Sequence, residues 1–147
     1  VNWVIDDKKK KIKSMIESLI NDDKLEDAKL AIEDYKKVVP DDIDIYSMLG
    51  VINILGNNLD DAKEILLEGL VKDYLNFDIN YNLAYLAELE QNYKNAFYFY
   101  NKALQNCKND DLKEQINEKI NNLLCDYEEL KTYNRERLSI FLHKRIG

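Results

Sequence analysis

The sequence predicts an all-α fold, an α-α superhelix in which antiparallel helix pairs stack as a solenoid. Three observations predict it. Ala28, Ala62 and Ala96 stand 34 residues apart in similar surroundings, and a fixed period of this length is the mark of a stacked helical repeat. Each alanine has an apolar residue three positions before it (Leu25, Leu59, Tyr93), a bulky one four after it (Ile32, Leu66, Tyr100), and another thirteen before it (Met15, Leu49, Leu83). One proline and four glycines in 147 residues leave few break points, while leucine, lysine, glutamate and alanine supply helix formers throughout.

The elements follow in order. Residues 1–7 are expected as an N-terminal tail, and three repeats as 9–42, 43–76 and 77–110. In the first, Ile12, Met15, Ile16, Leu19 and Ile20 recur at the three-and-four spacing that gathers side chains on one helical face. Polar residues 21–24 turn the chain. The second helix carries Leu25, Ala28, Ile32 and Tyr35 and stops before Pro40, which cannot extend a helix and disfavours helical geometry at Val39. The second repeat places Tyr46, Leu49, Gly50 and Ile54 on one helix, turns at 56–58, and continues with Leu59, Ala62, Leu66 and Leu70. The third uses Leu83, Ala84, Leu86 and Leu89, a turn at Gln91 and Asn92, then Tyr93, Ala96, Tyr100 and Leu104. The recurring alanine marks a close helix crossing that a larger side chain would overpack.

Beyond Asn109 the register is lost, because the position equivalent to the alanine is Leu130. The amphipathic pattern persists through Ile116, Ile120, Leu123, Leu124 and Tyr127. Residues 110–147 are therefore expected as one or two helices capping the last repeat, with a bend at 132–134, since open stacks need such a cover. Acidic pairs at 6–7, 22–23, 41–42, 60–61 and 110–111 are expected at helix starts, where carboxylates satisfy free N–H groups and oppose the helix dipole.

Composition bounds the function. A net charge of −7 is the wrong sign for a general nucleic-acid binder. No apolar run approaches the length that spans a bilayer. Cys107 and Cys125 are too few for a disulfide framework, so they are expected to pack as small apolar residues in helices, in a reducing, cytoplasmic setting. His143 is the only histidine, which leaves no support for a metal site or a catalytic base. No cofactor motif, phosphate loop or nucleophile motif is present, so the expectation is a protein that is not an enzyme. The aromatic run Tyr93, Phe97, Tyr98 and Tyr100 is expected in the core, and the lysines at 8–11 on a solvated face. The basic, apolar segment 135–146 is expected to pack on the last repeat, with membrane contact or self-association as the other uses of such a surface.

The pattern resembles the tetratricopeptide repeat, whose 34 residues set an aromatic, a Leu-Gly pair, a tyrosine, an alanine, a bulky residue and a proline at fixed offsets. The second repeat matches best, through Tyr46, Leu49, Gly50, Ala62 and Leu66, with Asn53 in place of the tyrosine and Tyr74 in place of the proline. The first keeps Met15, Ala28, Ile32 and Pro40, and the third Leu83, Ala84, Ala96, Tyr100 and Ala103. The resemblance implies a scaffold whose first helices line a concave groove for a peptide or partner protein. It assigns that groove to Lys13, Glu17, Ile20, Ser47, Val51, Ile54, Asp78, Tyr81, Tyr85 and Glu88. The family's clamp for a terminal carboxylate is not reproduced, because Glu17 and Met48 replace asparagines and Asp78 and Asn82 replace basic residues. Val51, Ile54, Tyr81 and Tyr85 beside Asp44, Asp78 and Glu88 suit an apolar peptide with some positive charge. The alternative is an accessory arm of a larger enzyme, since the chain also resembles bacterial proteins that join such repeats to glycosyltransferase domains.

Overall fold

A computed structural model describes residues 2–132 and residue 135, and among them there is helix and turn but no strand. The chain forms two compact units, Val1–Tyr74 and Leu75–Gly147.

The first unit holds α1 (Asn2–Asn21), α2 (Leu25–Val38), α3 (Asp44–Leu55) and α4 (Leu59–Lys72). α1 packs on α2, α2 on α3, and α3 on α4. Residues 2–7 are not a tail: they are the first turns of α1, which places Asp6 and Asp7 inside a helix rather than at its start. Ile16 and Ile20 from α1, Ala28, Ile32 and Tyr35 from α2, and Ile45, Met48 and Ile52 from α3 form one apolar cluster. Ile12 and Met15, expected on that buried face, are about half exposed, at 41% and 51%. Between α3 and α4 the approach is closer still. A Cβ added at Gly50 would stand 2.4 Å from Cδ2 of Leu66, and Leu66 is fully buried.

The second unit holds α5 (Phe77–Leu89), α6 (Tyr93–Gln105) and α7 (Asp110–Asp126), followed by a helical segment at 128–132. α6 packs on both α5 and α7. Its cluster runs from Ala84 and Ala87 through Ala96, Phe97, Tyr100 and Ala103 to Ile116, Ile120, Leu123 and Leu130. Tyr98, expected inside, is 46% exposed. Cys107 is buried but lies in the link after α6, not in a helix, and Cys125 is exposed. The capping region breaks at Tyr127, whose backbone is extended; the bend expected at 132–134 falls on residues of which 133 and 134 lie outside those described.

The 34-residue period is written into the backbone. Asp23, Asn57 and Gln91 all have φ of 60°, the left-handed conformation in which a helix commonly ends. At each, the next N–H reaches back five residues: Lys24 to the carbonyl of Leu19, Asn58 to Asn53 and Asn92 to Ala87, every one at 2.8 Å. Four residues further on lie Ala28, Ala62 and Ala96, all fully buried, and their N–H groups return to Lys24, Asn58 and Asn92. Three chemically different turns thus share one geometry, because the same carbonyls must be satisfied as one helix stops and another starts.

The expected acidic caps are only partly borne out. Asp42 does cap, accepting the N–H of Asp44 at 3.0 Å. Elsewhere the side-chain caps are asparagines: Asn76 accepts from Ile79, Asn92 from Asn95 and Asn109 from Leu112. The amide oxygen is a good N-cap acceptor, whereas Asp60 and Asp61, like Asp110 and Asp111, sit inside the first turn and act through the dipole.

Candidate protein-binding face

In the first unit Pro40 follows the end of α2, and the link that holds it brings its own Asp42 and the first residue of α3, Asp44, against Lys13 of α1. Lys13 Nζ lies 2.9 Å from Asp44 Oδ2 and 3.1 Å from Asp42 Oδ2. The Tyr35 hydroxyl donates to Asp42, and the Ser47 hydroxyl donates to the Asp44 carbonyl at 3.0 Å. Burial works against the Lys13 charge, but its bonds to Asp44 and Asp42 outweigh it and raise the ammonium above its ordinary 10.5. Burial likewise opposes the Asp42 charge, yet the Tyr35 hydroxyl, the Asp44 N–H and Lys13 together hold the carboxyl below its ordinary 3.8. The Tyr35 phenol is pushed up to about 12 by burial and by its bond to Asp42. Charged hydrogen bonds of this kind favour the ionised acid and keep the phenol neutral.

Of the six groove residues assigned to this unit, Lys13 and Ser47 converge on Asp44. Ser47 is buried and serves the link between helices. Ile20 is buried with Ile16 in the core, and Val51 packs half-buried against the same cluster. Ile54 is half-buried and Glu17 exposed. Glu17, Val51 and Ile54 therefore keep accessible surface, and Lys13 presents a cation already neutralised by two carboxylates.

In the second unit Asn76 starts α5 and Asp78 follows, exposed in the first turn. Tyr81, half-buried, stacks on Phe77 with ring centroids 5.9 Å apart and meets Tyr100 edge-on at 5.8 Å. It is held by the core, as aromatic pairs at these spacings are. Tyr85, one turn on, is 41% exposed. Glu88 is half-buried, and burial together with this neighbouring carboxylate raises the Tyr100 phenol. The Tyr100 hydroxyl is fully buried and makes no hydrogen bond among the described residues. The tyrosine pair of the sequence reading thus divides: Tyr81 anchors the unit and Tyr85 faces out.

Two features escaped the sequence reading. Tyr93 and Tyr127 stack with centroids 3.7 Å apart, beside an ion pair of 2.7 Å between Lys94 and Glu129 and a cavity of about 450 Å³. No periodic signal announces it, because Tyr127 lies past the last repeat. An apolar groove of about 620 Å³ opens between α1 and α2; the spacing of Ile5, Ile12 and Met15 would have shown it had the helix been extended to residue 2.

Among the described residues no group of three or more His, Cys, Asp or Glu side chains is placed to hold a metal ion. No helix among them is long and apolar enough to cross a membrane. His143 and the rest of the basic segment at 136–146 lie outside the described residues, and Arg135 is exposed. No protein-family model matches the chain, and no curated protein matches it.

Proposed function

We propose that this chain is a non-enzymatic, tetratricopeptide-like module of a cytoplasmic scaffold that binds a protein or peptide through its first helices. The observation that carries the reading is the threefold recurrence of one helix-turn-helix backbone, with left-handed residues at 23, 57 and 91 and fully buried alanines at 28, 62 and 96. That recurrence is what a repeat of this family requires. Within each unit the paired helices offer packed helical surfaces, and among the described residues no group of His, Cys, Asp or Glu is placed to hold a metal ion, which suits recognition.

The ligand-contacting residues are those that keep accessible surface: Glu17, Val51 and Ile54 in the first unit, Asp78, Tyr85 and Glu88 in the second. Lys13 is engaged by Asp42 and Asp44, so it does not serve as a clamp for a peptide carboxylate. Exposed tyrosine beside carboxylates fits a partner that is apolar with some positive charge.

Affinity capture followed by titration of the captured partner tests the proposal. Tyr85→Ala should weaken binding by about 2 kcal/mol or more as a hot-spot truncation does, with the melting temperature unchanged. Tyr81→Ala, in contrast, should lower the melting temperature first. A partner held equally by wild type, Tyr85→Ala and Val51→Asp would remove the assignment.

A further inference from the structure

We propose that the apolar groove between α1 and α2 is a second docking site, and that its occupant is an amphipathic helix with acidic flanks. The groove, of about 620 Å³, is floored by Ile5, Ile12 and Met15 from α1, by Ala31 and Val38 from α2, and by Val39 just past the end of α2. Met15 is 51% exposed and Val38 81%, although both belong to apolar positions that a helix face would bury. From Ile5 to Met15 the floor runs about 15 Å along α1 at the helical rise, the length of roughly three turns of a guest helix. α3 already seats against α2 in this unit, so a helix against a helix is the contact this fold makes.

Charge selects the guest. Lys8 and Lys9 line the groove, and neither has an ion-pair partner among the described residues, whereas Lys11 pairs with Asp7 and the rim carboxylate Asp34 with Lys37. An acidic flank on the guest would supply the missing counter-charges. A second copy docking the same face would bring its own lysine run onto this one, which like-charge repulsion opposes. A flat membrane surface does not fill a concave groove.

None of the residues lining this groove is among the ligand contacts proposed above, so either site can fail alone. Fluorescence anisotropy of the full chain with labelled peptides tests it. The probes are a capped helical peptide of about 15 residues with one leucine face flanked by glutamates, and its counterpart with lysines in place of the glutamates. The acidic peptide should bind saturably and at least about tenfold more tightly than the basic one. Lys8→Glu with Lys9→Glu should invert that preference, a gain for the basic peptide that an unfolded variant would not give. Ile12→Ser with Met15→Ser should abolish both, with circular dichroism unchanged because these side chains are half exposed. Equal binding of the two peptides, no binding of the acidic one, or retention of the chain only by phosphatidylglycerol vesicles would overturn the proposal. A dimer in sedimentation that Ile12→Ser with Met15→Ser dissolves would overturn it in favour of a second copy.

Discussion

At the scale of single residues, Asp42 is joined to Tyr35, Lys13 and the N–H of Asp44. Its carboxyl is held below 3.8 in the fold, so the stability it lends is present above that pH and lost as the pH falls through the lower folded value. Lys13 runs the other way: held above 10.5, it contributes below that pH and loses its contribution in stronger alkali. Melting measured from about pH 6 down to pH 3 should show a falling limb that Asp42→Asn flattens; an identical limb in the variant would remove Asp42 as its source. The sequence shows a lysine at 13 and acids at 42 and 44. It does not show their meeting, because that depends on how the link around Pro40 folds back on α1. This is why Lys13 looks like a ligand contact when only its position in the repeat is read.

At the scale of helices and turns, two substitutions separate crowding from backbone strain. Gly50→Ala would set a methyl group 2.4 Å from a buried Leu66 side chain, and such overpacking should cost about 1–3 kcal/mol in denaturant unfolding. Ala62→Leu, at a fully buried crossing position, should cost a similar amount for the same reason. Gln91→Gly should act in the opposite direction. Gln91 holds φ at 60°, a conformation costly to a side chain with a Cβ and free to glycine, so the variant should gain about 1 kcal/mol; a loss would show that the Gln91 side chain contributes more than its backbone costs. The helix pairs were legible because the period-34 alanine and the apolar faces around it are enforced by packing. Helix starts were less so: acidic pairs look like caps, yet only Asp42 of those pairs accepts an N–H at a described helix start, while Asn76, Asn92 and Asn109 cap α5, α6 and α7 and Asp60, Asp61, Asp110 and Asp111 lie inside the first turn.

At the scale of the whole chain, an excess of acidic over basic groups, −7 in all, sets what the protein should ignore. In a gel-shift assay it should leave double-stranded DNA unretarded even at low salt, because phosphate binding needs a surplus of cations; retardation would show a local basic surface strong enough to override the total. The all-helical class and the division into helix pairs were readable from composition and period. The candidate face was readable only as a register: of ten residues, Ile20 and Ser47 turned out buried and Lys13 neutralised, which no spacing rule separates from exposed neighbours. The groove of the first unit was hidden by the expectation of a tail, an error of six residues at the end of the chain that concealed α1's extra turns.

The three left-handed turns carry a consequence for how such a chain changes length. Each turn closes with bonds from its own few residues to the helix just finished, so its closing hydrogen bonds are local to the segment that carries it. A segment of 34 codons copied in frame would arrive with its own stop and its own restart. The gene can therefore be extended by duplication without inventing a new corner, and a laboratory version lengthened at Asn57 or Gln91 inherits the same freedom.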